Sequence, residues 1–146
     1  MSHELIKKAQ ETEENAVNSY LHAIRVLRLQ GIEMQDLEKI IKKVAIETII
    51  HRELMKGMLK AYEEVLKVET EVLKEIEEIK PSAREKAVIT RLLKDHLIIE
   101  SEMIEHYKKL AQELYYPVLK ELAESLAKNE KEHHELLNSL IKKYEE

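Results

Sequence analysis

Apolar residues recur every three or four positions along almost the whole chain, which is the spacing of one face of an α-helix. Gly31 is suited to end the first helix in a left-handed conformation, and Pro117 suits the first position of the last helix. Ser82 and Glu85 match a Ser-x-x-Glu capping box at a helix start. The pattern predicts five helices, at about residues 2–30, 33–60, 63–80, 83–115 and 118–145.

The second stretch of helical periodicity is too long for one helix of a bundle. It continues from Glu33 to Ile79, about 70 Å at the rise of an α-helix, whereas the first helix would measure about 43 Å. We therefore predict a break between Lys56 and Lys67, followed by a separate helix over residues 63–80. The expected fold is an all-α four-helix bundle of two antiparallel hairpins joined by this long helical crossover, in a single domain over residues 1–146.

Composition narrows the class of function. The 146 residues include no Cys, which excludes disulfides, thiolate zinc sites and iron–sulfur clusters. The net charge is −5 with Lys and Glu interleaved, so we expect no nucleic-acid partner. No apolar run approaches the roughly 18 residues of a membrane span. We expect a cytoplasmic protein, and the abundance of Glu, Lys and Ile suggests a thermophilic source.

Each of the four bundle helices carries a Glu on its otherwise apolar face, and two of them add a His one turn later. A buried carboxylate without a counter-charge costs several kcal/mol, and cations placed between carboxylates reverse that cost. A single such Glu can instead reach solvent or pair with Lys. The pattern predicts a metal site whose ligands are Glu13, Glu47, His51, Glu100, Glu130 and His133.

An internal repeat strengthens this hypothesis. Tyr20 follows Glu13 by seven residues, and Tyr107 follows Glu100 by the same distance. In each predicted hairpin, the Glu of the first helix and the Glu/His pair of the second lie equally far from the turn. Facing residues of an antiparallel hairpin should therefore bring these side chains to one level.

These features resemble the ferritin-like carboxylate-bridged di-iron family, and residues 126–133 resemble the last helix of its rubrerythrin-like members. The resemblance implies two iron ions, with manganese as the alternative, which react with peroxide or dioxygen in oxidative-stress defence or iron handling. It implies an external electron donor of unknown identity, and we expect a homodimer. The implied roles are bridging for Glu47 and Glu130, capping of one metal each for Glu13 and Glu100, and nitrogen ligation for His51 and His133.

The sequence also departs from the family pattern. The second helix has Glu47-x-x-x-His51, with Thr48 where the pattern has Glu, and the lack of Cys excludes a rubredoxin module. Tyr20 and Tyr107 are expected either to donate hydrogen bonds to ligand carboxylates or to serve as core residues. His96, one turn before Glu100, is expected to be a hydrogen-bonded core histidine. The alternative functions are a metal-free helical-bundle interaction module and an iron-storage protein.

Overall fold

All secondary structure in the computed structural model of this protein is helical within the residues it describes, which are 2–31, 35–69 and 82–145. The four helices are α1 (Ser2–Leu29), α2 (Gln35–Val68), α3 (Ala83–Glu113) and α4 (Pro117–Glu145). The predicted all-α class with four principal helices is confirmed. No helix in these ranges combines the length and the apolar composition needed to cross a membrane.

The chain divides into two units, Met1–Glu78 and Ile79–Glu146, and each contains one pair of packed helices. In the first hairpin α1 packs on α2, and in the second α3 packs on α4. Each hairpin encloses a narrow row of positions between its two helices, which we call its seam. The predicted single domain stays a prediction.

The seam of the first hairpin contains Val17, Ala45 and Thr48. Small side chains such as Ala45 allow two helix backbones to approach closely, so the helices enclose few large residues. Gly31 follows α1 with φ of +63°, and its N–H donates to the carbonyl of Arg28 at 3.1 Å. The left-handed helix end predicted at Gly31 is therefore confirmed.

Helix α2 is longer than predicted. It continues without interruption past Gly57 to Val68, so the predicted break between Lys56 and Lys67 is wrong. One glycine costs a helix about 1 kcal/mol, and the strong helix formers around Gly57 outweigh that cost. Residues 63–68 of the predicted crossover belong to α2, and the part from residue 70 onward lies outside the described residues, as does the predicted helix start at Glu33.

The ends of the helices in the second hairpin agree with the sequence. Ser82 is the N-cap of α3, and its Oγ accepts the N–H of Glu85 at 3.3 Å and donates to Glu85 Oε1 at 3.0 Å. Pro117 is the first residue of α4. The seam residues of this hairpin are Thr90, Glu100, Ile104, Ala111, Ala123, Ala127, Glu130 and Ile141.

Several apolar residues of the predicted stripes are exposed rather than buried. Leu5, Ile40 and Leu92 expose more than half of their surface. A two-helix layer encloses only the positions between the helices, whereas an apolar face about 100° wide extends beyond them. Burial in each hairpin is therefore confined to its seam.

Candidate metal-binding site

Glu100, Glu130 and His133 meet in the seam of the second hairpin. Each offers one ligand atom, and the three atoms lie within 4.8 Å of one another. Glu100 comes from α3, whereas Glu130 and His133 lie one turn apart on α4, as the i,i+3 spacing requires. We call these residues the second-hairpin trio. They are three of the six ligands predicted from sequence, and they are brought together at the predicted level.

Both carboxylates of the trio are buried and incompletely satisfied. Glu100 is 5% exposed and Glu130 is 8% exposed, and the Oε2 atom of each has no hydrogen-bond partner. His133 Nδ1 lies 3.5 Å from Glu130 Oε2 and 3.9 Å from Glu100 Oε2, too far for a good hydrogen bond. Buried carboxylate oxygens without partners, aimed toward one another and toward an imidazole, fit a cation.

The two carboxylates shift each other's pKa values in opposite directions. The neighbouring Glu100 carboxylate, aided by burial, raises the pKa of Glu130 above its ordinary value. The pKa of Glu100 is lowered, first because a protonated Glu130 can donate a hydrogen bond to it and then because His96 does so. Two like charges side by side in a poorly hydrated seam repel each other, and this repulsion favours a proton on Glu130.

His96 is a further neighbour of the trio. Its Nε2 lies 3.0 Å from Glu100 Oε1, one turn away on the same helix. The prediction that His96 is hydrogen-bonded is confirmed, but its side chain is 51% exposed, so its placement in the core was wrong. The i,i+4 spacing to Glu100 was the signal in the sequence for this contact, which holds Glu100 Oε1 in place.

The first hairpin brings together two of its three predicted ligands. His51 Nδ1 lies 3.6 Å from Glu13 Oε1, and both side chains are partly exposed. Glu47 is half-buried, and no group of three metal-ligating side chains forms among the described residues of this hairpin. The buried neighbour of Glu47 is Thr48, whose Oγ1 donates to the carbonyl of Val44 at 2.7 Å. The assignment of Glu47 as a ligand stays a prediction.

The two tyrosines of the repeat occupy equivalent places. Tyr20 and Tyr107 are both half-buried, and in the described part of the chain neither hydroxyl has a hydrogen bond to a carboxylate. Their proposed contact with metal ligands stays a prediction.

The donor set of the trio indicates which metals it would bind. Two carboxylates and one imidazole form a hard, oxygen-rich site. Such a site suits iron or manganese, whereas structural zinc and Cu(I) are usually bound by thiolates. The i,i+3 spacing of Glu130 and His133 places both donors one turn apart on the same side of α4.

Helical hairpins with buried carboxylates and a histidine on facing helices define a class of carboxylate–histidine metal proteins. The model of the rubrerythrin family matches residues 4–141, and the chain belongs to that family. This membership confirms the predicted ferritin-like fold class. No curated protein and no solved structure matches the chain.

Proposed function

We propose that this chain is a dinuclear metal–carboxylate protein, with iron as its native metal and manganese as the alternative, that reacts with peroxide or dioxygen. The observation that carries the proposal is the pair of buried Glu100 and Glu130 oxygens that lack hydrogen-bond partners beside His133. Membership of the rubrerythrin family supports it.

The proposed ligands are distributed over both hairpins. The second-hairpin trio has geometry suited to a cation, and Glu13 and His51 are in contact in the first hairpin. Glu47 completes the predicted set. The Oε2 atoms of Glu100 and Glu130 have no hydrogen-bond partner and could ligate a cation, with His133 beside them as a nitrogen donor.

The protein's residues have definable tasks in this function. When bound, two ferrous ions would supply the two electrons that, with two protons, convert one peroxide molecule to two water molecules. Because the pKa of Glu130 is raised, a proton competes with a cation for its carboxylate more effectively than at an isolated glutamate. His96 orients Glu100 through the Nε2–Oε1 contact. The 146 residues contain no Cys and so no rubredoxin-type site, and the proposal therefore includes a separate electron donor.

A metal-free interaction module is the second candidate function. The exposed apolar side chains favour it, since Leu5, Leu92 and Ile98 each expose about two thirds of their surface. Apolar surface of this kind is typical of binding sites for other helices. A module of this type requires no metal, so metal content separates the two candidates.

The test compares two double variants of the full chain. Glu130→Ala with His133→Ala removes two ligands of the trio, whereas Glu132→Ala with His134→Ala changes the same residue types at neighbouring positions outside it. After anaerobic loading with saturating Fe(II), we expect nearly two ions per chain in the wild type and the control variant. The trio variant should lose metal, with unchanged helicity by circular dichroism.

Addition of peroxide should change the near-ultraviolet absorption of the loaded wild type and control variant, but not that of the trio variant. Full metal content in the trio variant would reject this half of the site. A wild type that binds no metal would favour the interaction module.

A further inference from the structure

The two hairpins place equivalent residues at equivalent seam positions. In each, the histidine of the second helix lies near the glutamate of the first: His51 is 3.6 Å from Glu13, and His133 is 3.9 Å from Glu100. These contacts, each within its own hairpin, occur at the positions that the sequence repeat makes equivalent. The residue three positions before His133 is Glu130, and the residue three positions before His51 is Thr48, not Glu47.

Burial supports the same alignment. Ala45 and Ala127 lie six residues before the two histidines, and both are buried. Val17 and Ile104 lie four residues after the two glutamates of α1 and α3, and both are buried. Thr48 is 7% exposed, about the same as Glu130 at 8%. The position that holds a buried carboxylate in the second hairpin therefore holds a buried hydroxyl in the first.

The Thr48 hydroxyl cannot replace a carboxylate as a metal ligand. Thr48 Oγ1 donates its proton to the Val44 carbonyl, which commits the side chain to its own helix. A neutral hydroxyl offers a cation one weak donor, whereas a carboxylate offers a charge and two oxygens that can bridge two ions. Glu47 is one residue earlier, which displaces its side chain by about 100° around the helix from the seam position.

We propose that Thr48 makes the metal centre asymmetric, so that the second-hairpin trio binds the first cation tightly and the second cation binds more weakly. The inference rests on the proposed function, because it concerns the same two ions. The weaker ion relies on Glu13, Glu47 and His51 in the first hairpin and lacks a carboxylate at position 48.

The experiment titrates the full chain with Mn²⁺ and measures binding by isothermal titration calorimetry. A separate titration with Co²⁺, read by visible absorption, reports the ligand geometry. The wild type should show two separate binding events. Thr48→Glu should tighten the second event at least about tenfold, since ligand charge sets the affinity of such sites. Thr48→Gln is the matched control, because Gln has nearly the size of Glu but no charge. It should leave the second event weak.

Two further variants keep the test decisive if Thr48→Glu disturbs the helix, which circular dichroism would reveal. Glu130→Thr, which gives the second hairpin the residue of the first, should abolish the tight event. Glu132→Gln, a charge change on the same helix outside the trio, should leave both events nearly unchanged. Two equal events in the wild type, or an intact tight event in Glu130→Thr, would overturn the asymmetry while the proposed function stands. A wild type that binds neither Mn²⁺ nor Co²⁺ would overturn the proposed function itself.

Discussion

Glu130 couples proton binding, folding and metal binding in one side chain. Its pKa is raised from the ordinary value of 4.5 because the Glu100 carboxylate is adjacent and because the seam is poorly hydrated. The folded protein therefore binds this proton more tightly than the unfolded chain does. The stability that this contributes is complete below pH 4.5 and is lost as the pH rises through the raised pKa.

We expect Glu130→Gln to remove this pH dependence. In metal-free protein with a chelator present, the wild type should lose stability relative to Glu130→Gln as the pH rises above 4.5. Gln carries no charge at any pH, so Glu100 is not repelled. Urea unfolding at a series of pH values measures the difference. If the two curves run parallel from pH 4 to 8, the two carboxylates do not interact in the seam.

At this scale the sequence predicted the trio and the Glu13–His51 pair but not the role of Thr48. Spacing alone cannot choose between Glu47 and Thr48, because a difference of one residue rotates a side chain by about 100°. The choice is made by packing, since Ala45 and Thr48 face α1 and thereby turn Glu47 toward the edge of the seam. His96 lies on the apolar stripe of α3, which suggested a core position. That stripe is wider than the seam, so His96 is exposed.

The two glycines are predicted to respond in opposite directions to the same substitution. Gly31 has φ of +63°, where an L-residue is strained, so Gly31→Ala should destabilise the protein by about 1 kcal/mol. Gly57 is inside α2, and a Cβ there would meet no atom within 4 Å. Gly57→Ala should therefore stabilise by up to about 1 kcal/mol. Urea unfolding compares the two, and a shift of the same sign in both would contradict the helix boundaries.

The N-terminus of α3 offers a second test at the level of the element. Ser82→Ala removes the oxygen that accepts the Glu85 N–H, and such a loss typically costs about 1 kcal/mol. Ser101→Ala is the control, because Ser101 is exposed in the middle of α3 and only donates to the Leu97 carbonyl. Thermal unfolding should show a lower midpoint for Ser82→Ala alone. Equal effects in the two variants would indicate that Ser82 has no special part in α3.

Helix ends were predictable because they depend on local chemistry. Gly31, Ser82 and Pro117 each act within a few residues of their own position, and all three behave as predicted. The break in α2 was predicted instead from a comparison of helix lengths, which assumes that every helix spans the same layer. No residue between Lys56 and Lys67 interrupts the backbone hydrogen bonds, and local propensity prevailed over that assumption.

For the whole chain, the fold class and the family followed from the sequence because periodicity, turns and the Glu/His repeat all agreed. The sequence did not predict how few large side chains each hairpin encloses. Val17 is the one large side chain of the described residues that is almost completely enclosed. A hairpin that encloses so few large side chains among its described residues should gain stability from further interactions, and a cation between the buried carboxylates would be one of them.

Metal binding is therefore expected to stabilise the whole molecule. A ligand present at about 100 times its Kd, bound by the folded state alone, adds about 2.7 kcal/mol to the free energy of unfolding. Urea unfolding with and without Mn²⁺ at that concentration should show this gain in the wild type and in Glu132→Ala with His134→Ala. Glu130→Ala with His133→Ala should gain far less, because it loses two donors of the trio. An equal gain in all three proteins would mean that Mn²⁺ acts through exposed acidic residues, and the seam would then have no part in metal binding.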